Sequence, residues 1–149
     1  MAGVTITVDD HDVLAKLQQL KNHCANLRPV FREIGEYLNL STHERFNRQV
    51  DPDGNRWAET SDVTKARKTR NKDKILIESG DLMSTLRYQV LDDALEFGTD
   101  RVYGAMMQFG GKKSQYPNLW GDIPARPFLG LSIDDKAEIL EILGDYLLQ

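Results

Sequence analysis

Ile123-Pro124-Ala125-Arg126-Pro127-Phe128-Leu129-Gly130-Leu131-Ser132 is apolar, yet it fits neither a helix nor a central strand. Two prolines fix φ at positions 124 and 127, remove two backbone donors and bias Ile123 and Arg126 toward extended geometry. Phe128, Leu129 and Leu131 then bring bulky side chains up to the start of a helix that Ser132 can cap. An extended arm with an apolar tip is costly to leave in water. It demands a receptor, and two are open: this chain's own sheet and core, or an adjacent subunit.

Working outward, the arm is followed by Asp134, Asp135 and Glu138, which suit the positive end of a last helix. Ile139, Leu140, Ile142, Leu143, Tyr146 and Leu147 give that helix a wide apolar face. Before the arm, Tyr103 to Phe109 reads as a short helix stopped by Gly110-Gly111. Further back, Tyr88 and Val90 alternate up to Asp92-Asp93, and Leu95 and Phe97 alternate away from it. A two-residue turn sets Val90 opposite Leu95 and Tyr88 opposite Phe97, with both pairs on one face. Gly98 and Thr99 end this hairpin.

The N-terminal third is helical. Val4, Ile6 and Val8 alternate with Thr5 and Thr7 as a short strand available to the sheet. Asp9 or Asp10 then caps a helix whose stripe is Val13, Leu14, Leu17, Leu20 and Cys24. Pro29 suits the first turn of a second helix burying Val30, Phe31, Ile34, Tyr37, Leu38 and Phe46. Between helices and hairpin, Asp51-Pro52-Asp53-Gly54-Asn55 is dense in turn formers and leads into Trp57. Ser61 caps a short basic turn from Asp62 to Lys68, and Ile75-Leu76-Ile77 is a brief apolar run. Ser79-Gly80-Asp81 starts a helical turn carrying Leu82, Met83 and Leu86. The expected architecture is α+β in one domain over residues 1–149: an N-terminal helical hairpin, a small antiparallel β-sheet and a C-terminal helix. Mobile loops are expected near 65–74 and 112–121, the second holding Trp120.

Composition narrows function by exclusion. At 149 residues, 40% hydrophobic and 28% charged, with net charge −4, the chain has an ordinary globular make-up whose overall field does not favour nucleic acid. Cys24 is the single cysteine, so no disulfide forms within the chain. Neither a basic, apolar leader at Met1-Ala2-Gly3-Val4 nor a membrane-length apolar window is present, so the expected location is the cytoplasm.

The chemistry-bearing residues do not assemble into a known catalytic pattern. His11, His23 and His43 form no H-E-x-x-H pair, and Cys24 falls on an apolar stripe as a buried thiol would. Gly110-Gly111-Lys112-Lys113-Ser114 lacks the first glycine of a phosphate-binding loop. An EF-hand starting at Asp51 would put Arg56 and Asp62 where glycine and glutamate are needed. The acidic pairs Asp9-Asp10, Asp92-Asp93 and Asp134-Asp135 are explained by caps and a turn. Lys65, Arg67, Lys68, Arg70, Lys72 and Lys74 form one basic run. It reads as a solvated loop that stiffens against an acidic partner, or else as phosphate contacts, though no aromatic residue interleaves with it for base stacking. No metal, cofactor, small-molecule substrate or membrane partner is expected, and no enzyme. The alternative is a non-enzymatic binding module, for nucleic acid or protein, built on that loop.

Five segments in order carry a resemblance: Asp51-Pro52-Asp53-Gly54-Asn55-Arg56-Trp57; Lys74-Ile75-Leu76-Ile77-Glu78-Ser79-Gly80-Asp81-Leu82; Phe97-Gly98-Thr99; Tyr103-Gly104-Ala105-Met106-Met107-Gln108-Phe109-Gly110-Gly111; and Ile123-Pro124-Ala125-Arg126-Pro127-Phe128-Leu129-Gly130. Over about residues 30 to 148 they resemble the phage virion morphogenesis, or tail completion, family of contractile-tailed phages and Mu-like prophages. The resemblance implies a structural protein acting at the head-proximal end of the tail or in the neck. It implies a ring, commonly hexameric, between tail terminator or tail tube and head connector, assembled in the host cytoplasm and carried in the virion. The expected interface residues are Ile123, Pro124, Arg126, Pro127, Phe128 and Leu129 of the arm, Trp120, and Lys65, Arg67, Lys68, Arg70 and Lys72. The expected structural signature is Asp51, Gly54, Trp57, Gly80, Leu82, Gly98, Thr99, Phe109, Gly110 and Gly111.

Overall fold

The longest helix has its origin in a proline and its end in a left-handed glutamine. A computed structural model describes residues 10–23, 26–68, 75, 81–101, 103–119 and 121–148. The helical hairpin consists of α1 (His11–His23) and α2 (Arg28–Arg48), with Pro29 in the first turn of α2, where its missing N–H costs nothing. Gln49 stops α2 at φ 58°, its N–H donating to the Arg45 carbonyl. The Gln49 backbone carbonyl then accepts from the Trp57 amide (2.9 Å), and its side chain accepts from the Ile75 amide (2.8 Å). One residue thus ties three segments together.

The turn at 51–57 is as expected from its composition. The Asp51 carboxylate accepts from the amides of Asp53 and Asn55, both at 2.9 Å, and Gly54 takes φ 89°. Ser61 caps α3 (Asp62–Arg67) by accepting from the Thr64 amide. After α4 (Asp81–Ser84), the chain enters β1 (Leu86–Val90), turns, and returns as β2 (Leu95–Thr99). The antiparallel register pairs Val90 with Leu95 and Tyr88 with Phe97. The Leu91 amide closes the Asp92-Asp93 turn on Ala94 at 2.8 Å. Leu86 does not continue the helical turn. The one-turn α4 ends as the Thr85 hydroxyl donates to the Leu82 carbonyl, and the ladder draws Leu86 opposite Thr99 with its side chain buried.

Then follow α5 (Gly104–Phe109), the loop and arm, and α6 (Ile133–Leu147). The 112–119 stretch is a series of turns: Gln115 and Tyr116 amides both donate to the Lys112 carbonyl at 3.0 Å. Lys65 and Arg67 belong to α3, and Lys68 is buried. The Val4–Val8 alternation, Cys24, Arg70, Lys72, Lys74, Leu76, Ile77, Gly80 and Trp120 lie outside the described residues.

Two apolar clusters share α2. Its first half, with Val30, Phe31, Ile34 and Leu38, packs on Leu20 of α1 and on Ile139, Ile142 and Leu143 of α6. Its end, Phe46, packs with Trp57, Ile75, Leu82, Leu86, Phe128 and Leu129. Phe46 meets Trp57 edge-on, with ring centroids 5.2 Å apart, and lies 5.7 Å from the Phe128 ring. Between the clusters α2 lies across β1, and Gly35 makes that approach possible. A Cβ there would come within 2.6 Å of the Tyr88 ring. The Tyr88 hydroxyl also reaches back to Glu36 at 2.6 Å.

Gly35→Ala is therefore expected to push Tyr88 and β1 off the helix and to cost about 1–3 kcal/mol. Urea unfolding should show a lower midpoint with an unchanged slope.

Candidate functional site

The proline arm is held by several elements, most of them meeting a backbone group that no strand partner satisfies. The Arg126 amide donates to the Met107 carbonyl at 2.7 Å, and its guanidinium donates to the carbonyls of Ala58 and Glu59, each at 2.8 Å. The Trp57 indole N–H donates to the Pro127 carbonyl at 2.7 Å. Gln108 of α5 is buried against the arm. Its carbonyl oxygen accepts from the Phe128 and Leu129 amides (both 3.0 Å), while its NH2 donates to the Leu129 carbonyl at 3.1 Å. One side-chain amide thus satisfies three backbone groups that no strand supplies.

Arg45 supplies the fourth anchor. Its Nη1 donates to the Phe128 carbonyl at 2.8 Å, and its Nη2 pairs with Asp135 Oδ2. Asp135 is 0% exposed and sits at the third position of α6. It completes a capping box with Ser132, giving and accepting hydrogen bonds of 2.9 Å. Tyr37 (2.9 Å) and Ser41 donate to its other oxygen. Burial alone pushes the Asp135 carboxyl up. The Ser132 amide, the Ser41 hydroxyl, the Arg45 guanidinium and the Tyr37 hydroxyl outweigh it and hold the group below the ordinary carboxylate range. Burial, helped by the Asp135 charge, pushes the Tyr37 hydroxyl up to about 12. Burial pulls Arg45 down from its ordinary value, against the pull of Asp135. Even so, it remains a cation.

This arrangement places Phe128 (0% exposed) and Leu129 in the chain's own core. The inner side of the arm is spoken for; its outer side is not. Pro124 and Ala125 are exposed. Gly111 and Ile123 exchange backbone hydrogen bonds of 2.9 and 2.7 Å, which brings the arm against the end of α5. Gly110 is required there, with φ 70° and a notional Cβ only 2.6 Å from the Ile123 carbonyl oxygen. A Cβ on Gly111 would strike Met106 at 2.4 Å and approach Tyr116 to 3.3 Å. Around this crossing stand Phe109, 63% exposed, and Tyr116, 49% exposed. Helix, loop and arm therefore each expose a large apolar group close to this crossing in the chain, where Lys112 and Lys113 are exposed as well.

The expected interface residues separate accordingly. Ile123 and Pro124 join this outer surface, whereas Arg126, Phe128 and Leu129 are buried. Lys65 pairs with Glu59 at 3.3 Å, Arg67 is exposed, and Lys68 is buried. Among the described residues no cluster of histidine, cysteine and carboxylates could hold a metal ion. Sequence reasoning missed Arg45, Asp135 and Gln108. A signal existed for the first pair: Tyr37, Ser41 and Arg45 fall at successive i, i+4 positions, and Ser132-x-x-Asp135 has the spacing of a capping box.

A family model described as the phage virion morphogenesis family matches residues 8–148. The match includes α1, earlier than the segments quoted above reach. The chain is 32% identical over 120 residues to the "Putative capsid assembly protein G" of Escherichia phage Mu, covering 78% of this chain and 76% of that one. It is 29% identical over 135 residues to the "Mu-like prophage FluMu G protein 2" of Haemophilus influenzae, covering 91% and 88%. No solved structure matches the fold.

Two outcomes test the frame. Phe128→Ala should cost about 3–5 kcal/mol, read as a fall in unfolding midpoint, because its ring is fully enclosed. Asp135→Asn leaves Arg45 buried beside a neutral group and should cost about 3–5 kcal/mol at neutral pH. Since the folded carboxyl titrates below its ordinary 3.8, its contribution is present above about pH 4 and drains away as pH falls further. Acid unfolding curves of wild type and variant should therefore converge below pH 4.

Proposed function

The chain belongs to the phage virion morphogenesis family, and we propose that it acts as the structural piece that completes the tail at its head-proximal end and joins it to the head. In this reading subunits form a ring, with hexamers the leading stoichiometry, and the ring meets tail tube or tail terminator on one side and head connector on the other. It works by binding alone.

The observation that carries the proposal is the outer surface around the arm. Phe109 and Tyr116 stand exposed on a crossing of α5, loop and arm that Arg45, Gln108 and Trp57 hold rigid from within. A ring needs a heterologous contact, in which one patch docks on a different patch of the next subunit. A patch presented by a stiff frame loses little conformational entropy on docking.

Phe109→Ser and Tyr116→Ser should leave thermal unfolding nearly unchanged, within about 0.5 kcal/mol, because both side chains face solvent. They should abolish co-assembly with tails and the yield of infectious particles. Native mass measurement of the purified protein, alone and mixed with tails, checks this. A wild-type protein that stays monomeric and never binds tails would sink the proposal.

A further inference from the structure

The last helix carries two apolar faces, and the core uses one of them. Ile139, Ile142 and Leu143 of α6 pack into the cluster with α1 and α2. On the other side Ile133, Ala137, Leu140, Gly144 and Leu148 succeed one another at steps of four, three, four and four, which is one line along a helix of ~3.6 residues per turn. Ile133 and Leu148, at its two ends, are each 88% exposed, and Ala137 is exposed between them. A Cβ on Gly144 would meet nothing within 4 Å.

A row of charge of one sign runs beside this line. Asp134, Glu138, Glu141 and Asp145 each follow a member of the apolar line by one position, and all four are exposed. The only cation in α6, Lys136, is engaged by Asp10 and Asp12 at 3.1 and 3.3 Å. Among the described residues no lysine or arginine pairs with the row. A solvated acidic face alone asks for nothing, but an exposed apolar line beside it marks a docking surface for an apolar, cationic partner.

The end of α5 has the same two parts with the opposite sign. Phe109 and Tyr116 are the exposed apolar groups, and the Tyr116 ring comes to 3.3 Å from a notional Cβ on Gly111. The Lys112 carbonyl accepts from the Tyr116 amide at 3.0 Å, and the Lys113 amide donates to the Asp122 carboxylate at 2.9 Å. These contacts hold the backbone of both lysines, while their ammonium groups pair with no carboxylate among the described residues. The two faces are each exposed in the same chain, so they do not cover one another within it.

We propose that the outer face of α6 receives the Phe109 and Tyr116 surface of the next copy, with Lys112 and Lys113 set against the acidic row. The inference rests on the ring reading above and names the patch on which that surface docks. Because the two patches differ, every subunit gives one and receives one, and the series continues until it closes. Two α6 faces placed antiparallel would instead bring their acidic rows side by side, and like charges across an interface are penalised.

Charge reversal tests the contact. Glu141→Lys with Asp145→Lys, and separately Lys112→Glu with Lys113→Glu, alter only exposed side chains, so both variants should keep the wild-type unfolding midpoint. Each alone should weaken self-association, free or on tails, by about tenfold or more in native mass measurement. Mixed in equal amounts, the two variants should associate again, since each offers the other the opposite charge at both contacts. Ile133→Ser, which leaves every charge in place, should also weaken association. Reversed variants that assemble as well as wild type overturn this contact and leave the ring standing, and so do variants that fail both alone and together. A wild type that never associates, alone or on tails, removes the ring and this contact with it.

Discussion

Arg45 and Asp135 meet with almost no water, and the rest of the architecture is arranged around that meeting. A charge pair taken out of solvent is worth little by itself, because desolvation offsets the attraction. Its value here is positional. Arg45 comes from the end of α2, Asp135 from the first turn of α6, and the Phe128 carbonyl from the arm. Any displacement of one element strands a buried charge, so the three are locked in one relative placement. Tyr37 and Ser41 complete the carboxylate's shell from the same face of α2. The helix thus approaches α6 with a polar stripe embedded in an apolar one.

The arm shows how a segment unable to join a sheet can still be ordered. Its prolines remove donors, and the remaining backbone groups are met one at a time by Gln108, Trp57, Arg45 and the Met107 carbonyl. The partners come from α2, from α5 and from the segment after the Asp51 turn, so the arm bridges all three. Phe128 then closes the cluster with Phe46 and Trp57. The large apolar tip is thereby consumed within the chain's own core, which leaves only the opposite side of the same segment exposed.

The hairpin register, the two N-terminal helices, the Ser132 cap and the Asp51 turn were all legible in the sequence, because each depends on neighbours within a few residues. Local rules of spacing and turn chemistry suffice for them. The Arg45–Asp135 pair, Gln108 and Gly35 were not, since their meaning lies in partners 20 to 90 positions away. Gly35 sits mid-helix, where propensity alone reads it as a weakness. Only the Tyr88 ring above it explains why a side chain is excluded. The contacts of Arg126 were out of reach for the same reason: the carbonyls that receive its guanidinium, those of Ala58 and Glu59, lie nearly 70 positions away.

The two sides of the arm therefore carry separable duties. Substitutions on the inner side act through folding, because they open a core or strand a charge. Substitutions on the outer side touch solvent in the free subunit and can act only when something else covers them. Rigidity links the two: Phe109 and Tyr116 hold a defined placement because Gly110 lets α5 end flush against Ile123, and Ile123 is fixed by the anchors behind it. A binding surface made of loops alone would have to be ordered at the moment of contact, at a cost of about 0.5–1.5 kcal/mol for each side chain immobilised. Here the contacts behind the arm meet that cost in advance, so the placement of the outer side chains depends on the frame and not on what covers them.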